Sequence, residues 1–189
     1  MQKNLVVTKE WVLNNEKEVL GAIKDGLIFI YPTDTIYGLG CNAHHHEAVS
    51  VIRKIKQREE KPLSVIVPHI NWVEKHCLLD KVEIKDIYKK LPGPFTFFVS
   101  TKETLILSEA INPKEQNRTI GIRIPANWFS KLVQKANVPF VTTSVNISGK
   151  PYMRTIEDLD IAIKEKVDII IYDGPIRGKE SKKIDLRKK

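Results

Sequence analysis

The sequence predicts an α/β fold: a twisted mixed sheet of about seven strands flanked by helices. Two observations predict the class. Short apolar runs at 27–31, 63–67, 95–99 and 139–141 are rich in β-branched and aromatic residues and are set off by Gly or Pro. Between them lie stretches whose apolar residues recur at helical spacing, such as Ala48, Val49, Ile52 and Ile55. A third observation sets the arrangement. The runs are irregularly spaced, no internal repeat is present, and a long polar stretch at 101–118 interrupts them, which favours a mixed sheet over a repeating array.

Taken in order, residues 5–8 suit a first edge strand. Asn14 or Asn15 caps a helix running to about Lys24, with Val19, Leu20 and Ile23 on its apolar face and Gly26 just beyond its end. The strand at 27–31 then opens into Tyr31-Pro32-Thr33-Asp34-Thr35-Ile36-Tyr37-Gly38-Leu39-Gly40. Pro32 cannot donate to a sheet ladder, so pairing should weaken there and leave small polar side chains at a strand's carboxyl end, where α/β folds bind ligands. His45 or His46 starts a helix through about Ile55. Its three consecutive histidines point in different directions and suit a polar helix start better than a metal site. Pro62 ends that region, so Lys56, Arg58 and Lys61 gather at a helix C-terminus and the loop after it.

The strand at 63–67 comes next, then helices over about 69–77 and 83–91, a Pro92-Gly93-Pro94 break and the strand at 95–99. The 101–118 stretch reads as a surface loop, long enough to act as a lid. Residues 119–125 alternate with period two: Ile120, Ile122 and Ile124 face one way, Thr119, Gly121 and Arg123 the other. A helix around Phe129, Leu132 and Val133 precedes the strand at 139–141. That strand runs into Thr142-Thr143-Ser144-Val145-Asn146, a second polar opening at a strand end. A helix near 156–166 and a strand at 169–172 complete the core.

The length of 189 residues suits a single domain over 1–189, with a core at about 15–175 and a basic tail at about 176–189. A hydrophobic share of 42% with 29% charged residues is a globular composition, and no apolar run is long enough for a bilayer span. Two cysteines, Cys41 and Cys77, make neither a disulfide framework nor a zinc motif, so the reducing cytoplasm is the expected compartment. The net charge of +8 favours anionic partners. Arg177, Lys179, Lys182, Lys183, Arg187, Lys188 and Lys189 crowd the tail against Glu180 and Asp185, so the tail is expected to be flexible.

Several standard sites are absent: no Walker A loop, no G-x-G-x-x-G turn, no C-x-x-C or H-E-x-x-H, and no G-x-S-x-G around Ser144. What remains is a polar, cationic set: Thr33, Thr35, Lys56, Arg58, Lys61, Arg123, Ser144 and Asn146. It offers many donors to anions and no nucleophile–base pair. That suits a site that positions charged substrates and stabilises developing charge, as nucleotidyl transfer requires.

The motifs Y-P-T-D-T-x-Y-G-L-G, K-Q-R with K-P-L soon after, P-G-P-F-T, G-I-R-I-P and S-V-N-I-S-G-K-P, in that order, resemble the YrdC family of threonylcarbamoyl-AMP synthases. The resemblance implies a single YrdC-like domain with a concave basic cavity. It implies a nucleotidyltransferase that forms threonylcarbamoyl-adenylate and pyrophosphate from L-threonine, bicarbonate and ATP. The product would serve the t6A modification at position 37 of ANN-decoding tRNA, completed by a tRNA threonylcarbamoyltransferase complex. Carried over onto this sequence, Lys56, Arg58, Ser144 and Asn146 are the catalytic group. Thr33, Thr35, Arg123 and Ser144 would hold threonine. Arg58, Lys61, Thr119, Asn146, Arg154 and Ser181 would hold ATP, with Thr143 a further pocket residue. Mg2+ would be bound through the ATP phosphates and not by protein side chains.

The hydroxyls of Thr33, Thr35 and Ser144 would favour threonine modestly over serine and strongly over valine. The sequence departs from the family at Ser181-Lys182-Lys183-Ile184-Asp185, where members usually show S-T-[VI]-x-D, and ends before the short strand that many members have. It also lacks the extra C-terminal domain of longer members, so the cavity is expected to be closed by the tail, by 101–118 or by nothing. The alternative function is a non-catalytic protein of the same fold that binds double-stranded RNA or tRNA, with no membrane partner. A carbamoyl-transfer module like that of hydrogenase-maturation proteins would bring acylphosphatase and zinc-finger segments, and the sequence has neither.

Overall fold

The computed structural model describes residues 4–57, 61–114 and 118–187. Its strands are β1 (Leu5–Val7), β2 (Phe29–Tyr31), β3 (Gly38–Gly40), β4 (Ser64–Ile66), β5 (Phe95–Ser100), β6 (Thr119–Arg123), β7 (Phe140–Ser144), β8 (Ile169–Ile171) and β9 (Lys182–Leu186). They form one mixed sheet in the order β1-β8-β2-β3-β7-β4-β6-β5-β9. The helices are α1 (Lys9–Asn14), α2 (Glu16–Lys24), α3 (His46–Lys56), α4 (Ile70–His76), α5 (Lys81–Lys90), α6 (Phe129–Ala136) and α7 (Ile161–Lys164). Among the described residues, no helix is long and apolar enough to cross a membrane.

Alternation along the strands sends side chains to two different cores. On one face Ile30, Leu39, Val65, Phe97, Ile120, Ile122, Val141 and Ile170 pack with Val49, Ile52 and Ile55 of α3, Val73 of α4, Ile87 of α5 and Ile163 of α7. On the other, Val7, Phe29, Tyr31, Ile66, Phe140, Ile169 and Ile171 pack with Val19 and Ile23 of α2 and Phe129, Leu132 and Val133 of α6. Phe129 stacks on Tyr31 with centroids 4.1 Å apart. Fully burying one such side chain is worth about 1.5–3 kcal/mol, so the two cores dominate the folding free energy. The second core covers the sheet only as far as Ile66 and Phe140. Beyond them that face of β7, β4, β6 and β5 carries small or polar residues and Phe98, and among the described residues no helix lies over it.

The class and most elements match the sequence expectations; α1 is an unexpected helix, the expected helix near 156–166 is a 3-10 turn at Ile156–Asp158 followed by α7, and three larger differences concern the sheet, the tail and the 101–118 stretch. The sheet has nine strands, because β3 and β9 add to the seven expected. The Gly38-Leu39-Gly40 stretch lies between β2 and β7, and a Cβ built on Gly40 would sit 1.8 Å from the Val141 carbonyl oxygen. Glycine there permits close strand approach, and its low strand propensity hides the strand in the sequence. The tail is not a free segment: residues 182–186 pair in parallel with 95–99. Lys182 and Lys183 are exposed residues of this edge strand, where charge blocks further pairing.

The 101–118 stretch is likewise not an open loop through its described length. Leu107, Ala110 and Ile111 are buried, and a 3-10 turn at Glu109–Ile111 is tied to α3 by Arg53, whose Nε donates to the Ala110 carbonyl at 2.7 Å and whose Nη2 donates to that of Ile111 at 2.8 Å. Residues 115–117 of this stretch lie outside the described residues.

Gly40→Ala is expected to destabilise the protein by at least ~2 kcal/mol, since the clash is with backbone and cannot be relieved by a rotamer change; denaturant melts measure it. Burial raises the thiol pKa of both cysteines, that of Cys77 to about 12, and both side chains are almost inaccessible. Neither should therefore react with a disulfide reagent at pH 8 until denaturant is added, and reaction of the native protein with even one equivalent would contradict this.

Candidate active site

The open half-face has a floor, a roof and an end wall. The floor is a row running across the sheet: Thr142 opposite Ser64, Ser64 opposite Gly121, and Gly121 opposite Phe98. Two residues further along β6, Arg123 closes one side. The loop between β2 and β3 forms the roof with Glu180, Ser181 and Lys183. Together they enclose an inner cavity of about 130 Å³, too small for a nucleotide. Gly178 lies so close under the β2–β3 loop that a Cβ would fall 1.9 Å from the Thr35 carbonyl oxygen, so the segment leading to β9 is pressed onto this loop. Ser144, Glu180 and Lys183 also line an outer cavity of about 1120 Å³ with Arg53, Lys54, Lys56, Lys61 and Asn146. The outer cavity is rich in cations and roomy enough for a nucleoside triphosphate.

The β2–β3 loop is shaped by its own side chains. Thr33 Oγ1 donates to the Ile36 carbonyl at 2.6 Å and accepts from the Thr35 and Ile36 amides at 3.1 and 3.2 Å. Its hydroxyl thus holds the turn. Asp34 was not singled out by its residue type, yet it grips the end wall. Its Oδ1 accepts from Arg123 Nη2 at 2.8 Å and its Oδ2 from the Ala126 amide at 2.8 Å. Arg123 Nη2 also donates to Thr35 Oγ1 at 3.3 Å. Burial pulls the guanidinium below its ordinary pKa and the adjacent Asp34 carboxylate offsets that, so Arg123 stays cationic at neutral pH. Arg123 is only 6% exposed, and its Nε is buried with no partner. Arg123 lines the inner cavity, where a cationic guanidinium suits an anionic oxygen.

The junction of the two cavities is built around Lys56, which is 98% buried at the end of α3, at 2% relative exposure. Its Nζ donates to the Ser144 carbonyl at 2.8 Å, the Ser144 Oγ at 3.2 Å, the Asn146 carbonyl at 2.6 Å and the Asn146 Oδ1. Ser144 Oγ in turn donates to Asn146 Oδ1 at 2.7 Å. Residues 88 and 90 positions apart in the chain therefore meet, as the K-x-R and S-x-N motifs required. The Lys56 ammonium is spent on these acceptors, which makes it the group that shapes the loop after β7.

Of the other predicted residues, Lys61 is exposed on the outer cavity, and Ser181 and Thr143 line the inner one. Ser181 Oγ is 2.7 Å from Thr96 Oγ1. Arg154 lies in a neighbouring cavity of about 580 Å³ that meets the outer one at Asn146, with its guanidinium over the Tyr152 ring. Thr119 belongs to the lining of none of these three cavities. Its hydroxyl and carbonyl accept from Asn112 Nδ2 at 3.2 and 2.8 Å. Arg58 lies outside the described residues. The residues that sequence reasoning missed are Asp34, Ser64, Thr96, Glu180 and Lys183. For Ser64 the signal was available: a hydroxyl interrupting the apolar run at 63–67.

A half-covered sheet whose open face joins a small polar cavity to a large cationic one defines an α/β protein that brings a small polar molecule to an extended anion. More particularly, the chain belongs to the Sua5/YciO/YrdC family, described as "Telomere recombination", whose model matches residues 21–189. It is 38% identical over 179 residues to a putative threonylcarbamoyl-AMP synthase of Methanocaldococcus jannaschii, covering 91% of this chain and 82% of the relative. It is 29% identical over 164 residues to the threonylcarbamoyl-AMP synthase of Coxiella burnetii, covering 84% of each.

Among solved structures, P. abyssi Sua5 complexed with L-threonine superposes with a TM-score of 0.78 at 28% identity, covering 96% of this chain and 54% of that one. This chain therefore spans about half the length of that Sua5. E. coli YciO superposes with a TM-score of 0.82 at 22% identity over 100% of this chain and 92% of that one, a likeness of fold.

Lys56→Met should lower both the melting temperature and kcat/KM, because the Ser144 and Asn146 carbonyls lose the ammonium and the Asn146 amide oxygen keeps only Ser144 Oγ, at about 1–3 kcal/mol per buried group left unpaired. Lys61→Met, at an exposed site, should leave the melting temperature unchanged and raise the KM for ATP. Thermal melts alongside steady-state kinetics separate the two behaviours.

Proposed function

We propose that this chain is a threonylcarbamoyl-AMP synthase that joins L-threonine, bicarbonate and ATP. The observation that carries this reading is the meeting of Lys56 with Ser144 and Asn146 where the small polar cavity opens into the large cationic one. Threonine takes the inner cavity, its carboxylate on the Arg123 guanidinium. ATP takes the outer cavity, with Lys61, Asn146 and Arg58 on the phosphates and Arg154 toward the nucleoside.

The threonine amine and bicarbonate form the N-carboxylate with loss of water. A carbamate oxygen then attacks the α-phosphorus, the α–β bridging P–O bond breaks, and the electron pair leaves with pyrophosphate. Mg2+ carried on the ATP phosphates would neutralise their charge. This chain's own residues then orient the two anions and exclude water between them. The product is passed to a tRNA threonylcarbamoyltransferase for t6A formation at tRNA position 37.

Pyrophosphate release tests the reading, with threonine, bicarbonate and ATP each omitted in turn. Release should require all three. Asn146→Ala should lower kcat/KM by roughly 10²–10³, the range for losing one preorganised donor at developing charge. A non-catalytic RNA binder would release no pyrophosphate under any condition, and Asn146→Ala would leave its RNA affinity almost unchanged.

A further inference from the structure

The hydroxyls expected to recognise the amino-acid side chain are already engaged. Thr33 Oγ1 is held by its own turn, Thr35 Oγ1 lies between Thr33 and Arg123, and Ser144 Oγ is bonded to Asn146 and Lys56. Thr142 is hydrogen-bonded to Tyr31, Thr96 is paired with Ser181, and the Tyr37 hydroxyl donates to the Gly174 carbonyl at 2.6 Å. Thr143 also lines the inner cavity, but strand alternation points its side chain away from the floor that Thr142 and Ser64 share. Ser64 differs: it lines the inner cavity at the centre of its floor, it is half-buried, and its hydroxyl has no hydrogen-bond partner among the described residues.

The surroundings of Ser64 aim that hydroxyl at a ligand. A Cβ on Gly121, its neighbour in the register, would fall 2.3 Å from Ser64 Oγ and 3.3 Å from the Phe98 ring. The missing side chain is therefore the space into which the hydroxyl leans, with an aromatic edge as its far wall. Arg123 lies two residues beyond Gly121 on the same strand face, a separation of about 6.6 Å along the strand. An amino acid with its carboxylate on Arg123 thus directs a side chain of two heavy atoms at Ser64 and Phe98, one polar wall and one apolar.

We propose that Ser64 is the specificity-determining residue for the amino-acid substrate, hydrogen-bonding the β-hydroxyl while Gly121 keeps the place clear and Phe98 packs on the γ-methyl. The inference rests on the threonylcarbamoyl-AMP synthase reading and deepens it. A site built to bond a hydroxyl discriminates strongly against an analogue lacking it, whereas a missing methyl costs far less. Discrimination should therefore fall on 2-aminobutyrate, which keeps the methyl and lacks the hydroxyl, more than on serine, which keeps the hydroxyl and lacks the methyl.

The test is pyrophosphate release by the full chain with threonine, serine or 2-aminobutyrate at saturating ATP and bicarbonate. For the wild type, kcat/KM should favour threonine over 2-aminobutyrate by at least about 100-fold and over serine by less. In Ser64→Ala the threonine preference over 2-aminobutyrate should collapse by at least about tenfold, with the preference over serine retained and the KM for ATP unchanged. A purely structural role for Ser64 would lower all three rates together and leave their ratios alone, and that result overturns the proposal.

Gly121→Ala supplies a second arm: filling the space beside Ser64 should raise the KM for threonine while the melting temperature reports whether the sheet tolerates the methyl. An unchanged KM in a folded Gly121→Ala protein also overturns the proposal. If the wild type releases no pyrophosphate with any of the three amino acids, the enzymatic reading itself fails, a result distinct from wild-type activity with unaltered ratios in Ser64→Ala.

Discussion

The Lys56 ammonium is the contact on which the site's geometry depends. A lysine buried this completely is unfavourable unless its charge is fully solvated by protein groups, and here the carbonyls and side chains of Ser144 and Asn146 do that. The same contacts tie the C-terminal end of α3 to the end of β7, two elements packed on different parts of the sheet. They also bend the chain after β7 so that Ser144 faces the inner cavity and Asn146 the outer. An arginine would bring a planar fork that these converging acceptors do not match, so the identity of the cation matters as much as its charge.

The cavity is the part of the sheet that the helices leave uncovered. Had α6 extended over β6 and β5, the face would need apolar residues at 64, 121 and 123. Instead it carries Ser64, Gly121 and Arg123, and the cost of burying Arg123 is offset by Asp34. The inner cavity thus holds Arg123, held by Asp34, with Lys183 and Glu180 of opposite charge on its lining, whereas the outer one adds Arg53, Lys54, Lys56 and Lys61. A zwitterionic amino acid suits the first charge balance and a polyphosphate the second.

Much of this was readable in the chain. The alternation of Ile120 and Ile122 with Gly121 and Arg123 identified both faces of β6 correctly, because one face packs into an apolar core and the other meets a polar cavity, and period two is then enforced. The convergence of Lys56 with Ser144 and Asn146 followed from motif resemblance and not from local pattern, since nothing in the spacing of 88 positions signals a contact. β3 stayed hidden because two glycines weaken its propensity while tertiary packing requires them. β9 stayed hidden because an edge strand needs few apolar residues, so Lys182-Lys183-Ile184-Asp185 reads as solvated tail. Asp34 was visible as a motif letter, but its partner at Arg123 lies in another strand and only the folded loop joins them.

The sheet order has a kinetic meaning. β1 pairs with β8 through Leu5 and Ile169, and β5 pairs with β9 through Phe95 and Lys182, so both outer pairings close long stretches of chain. Such non-local pairings delay folding, because loop-closure entropy must be met before the contacts form. The site draws on the β2–β3 loop, β4, β6, β7 and the segment entering β9, so partially assembled chains carry only fragments of it. Substrates can then recognise the finished molecule alone. Their binding energy adds wholly to the native state, and a chain saturated with nucleotide resists unfolding more than its own contacts would allow.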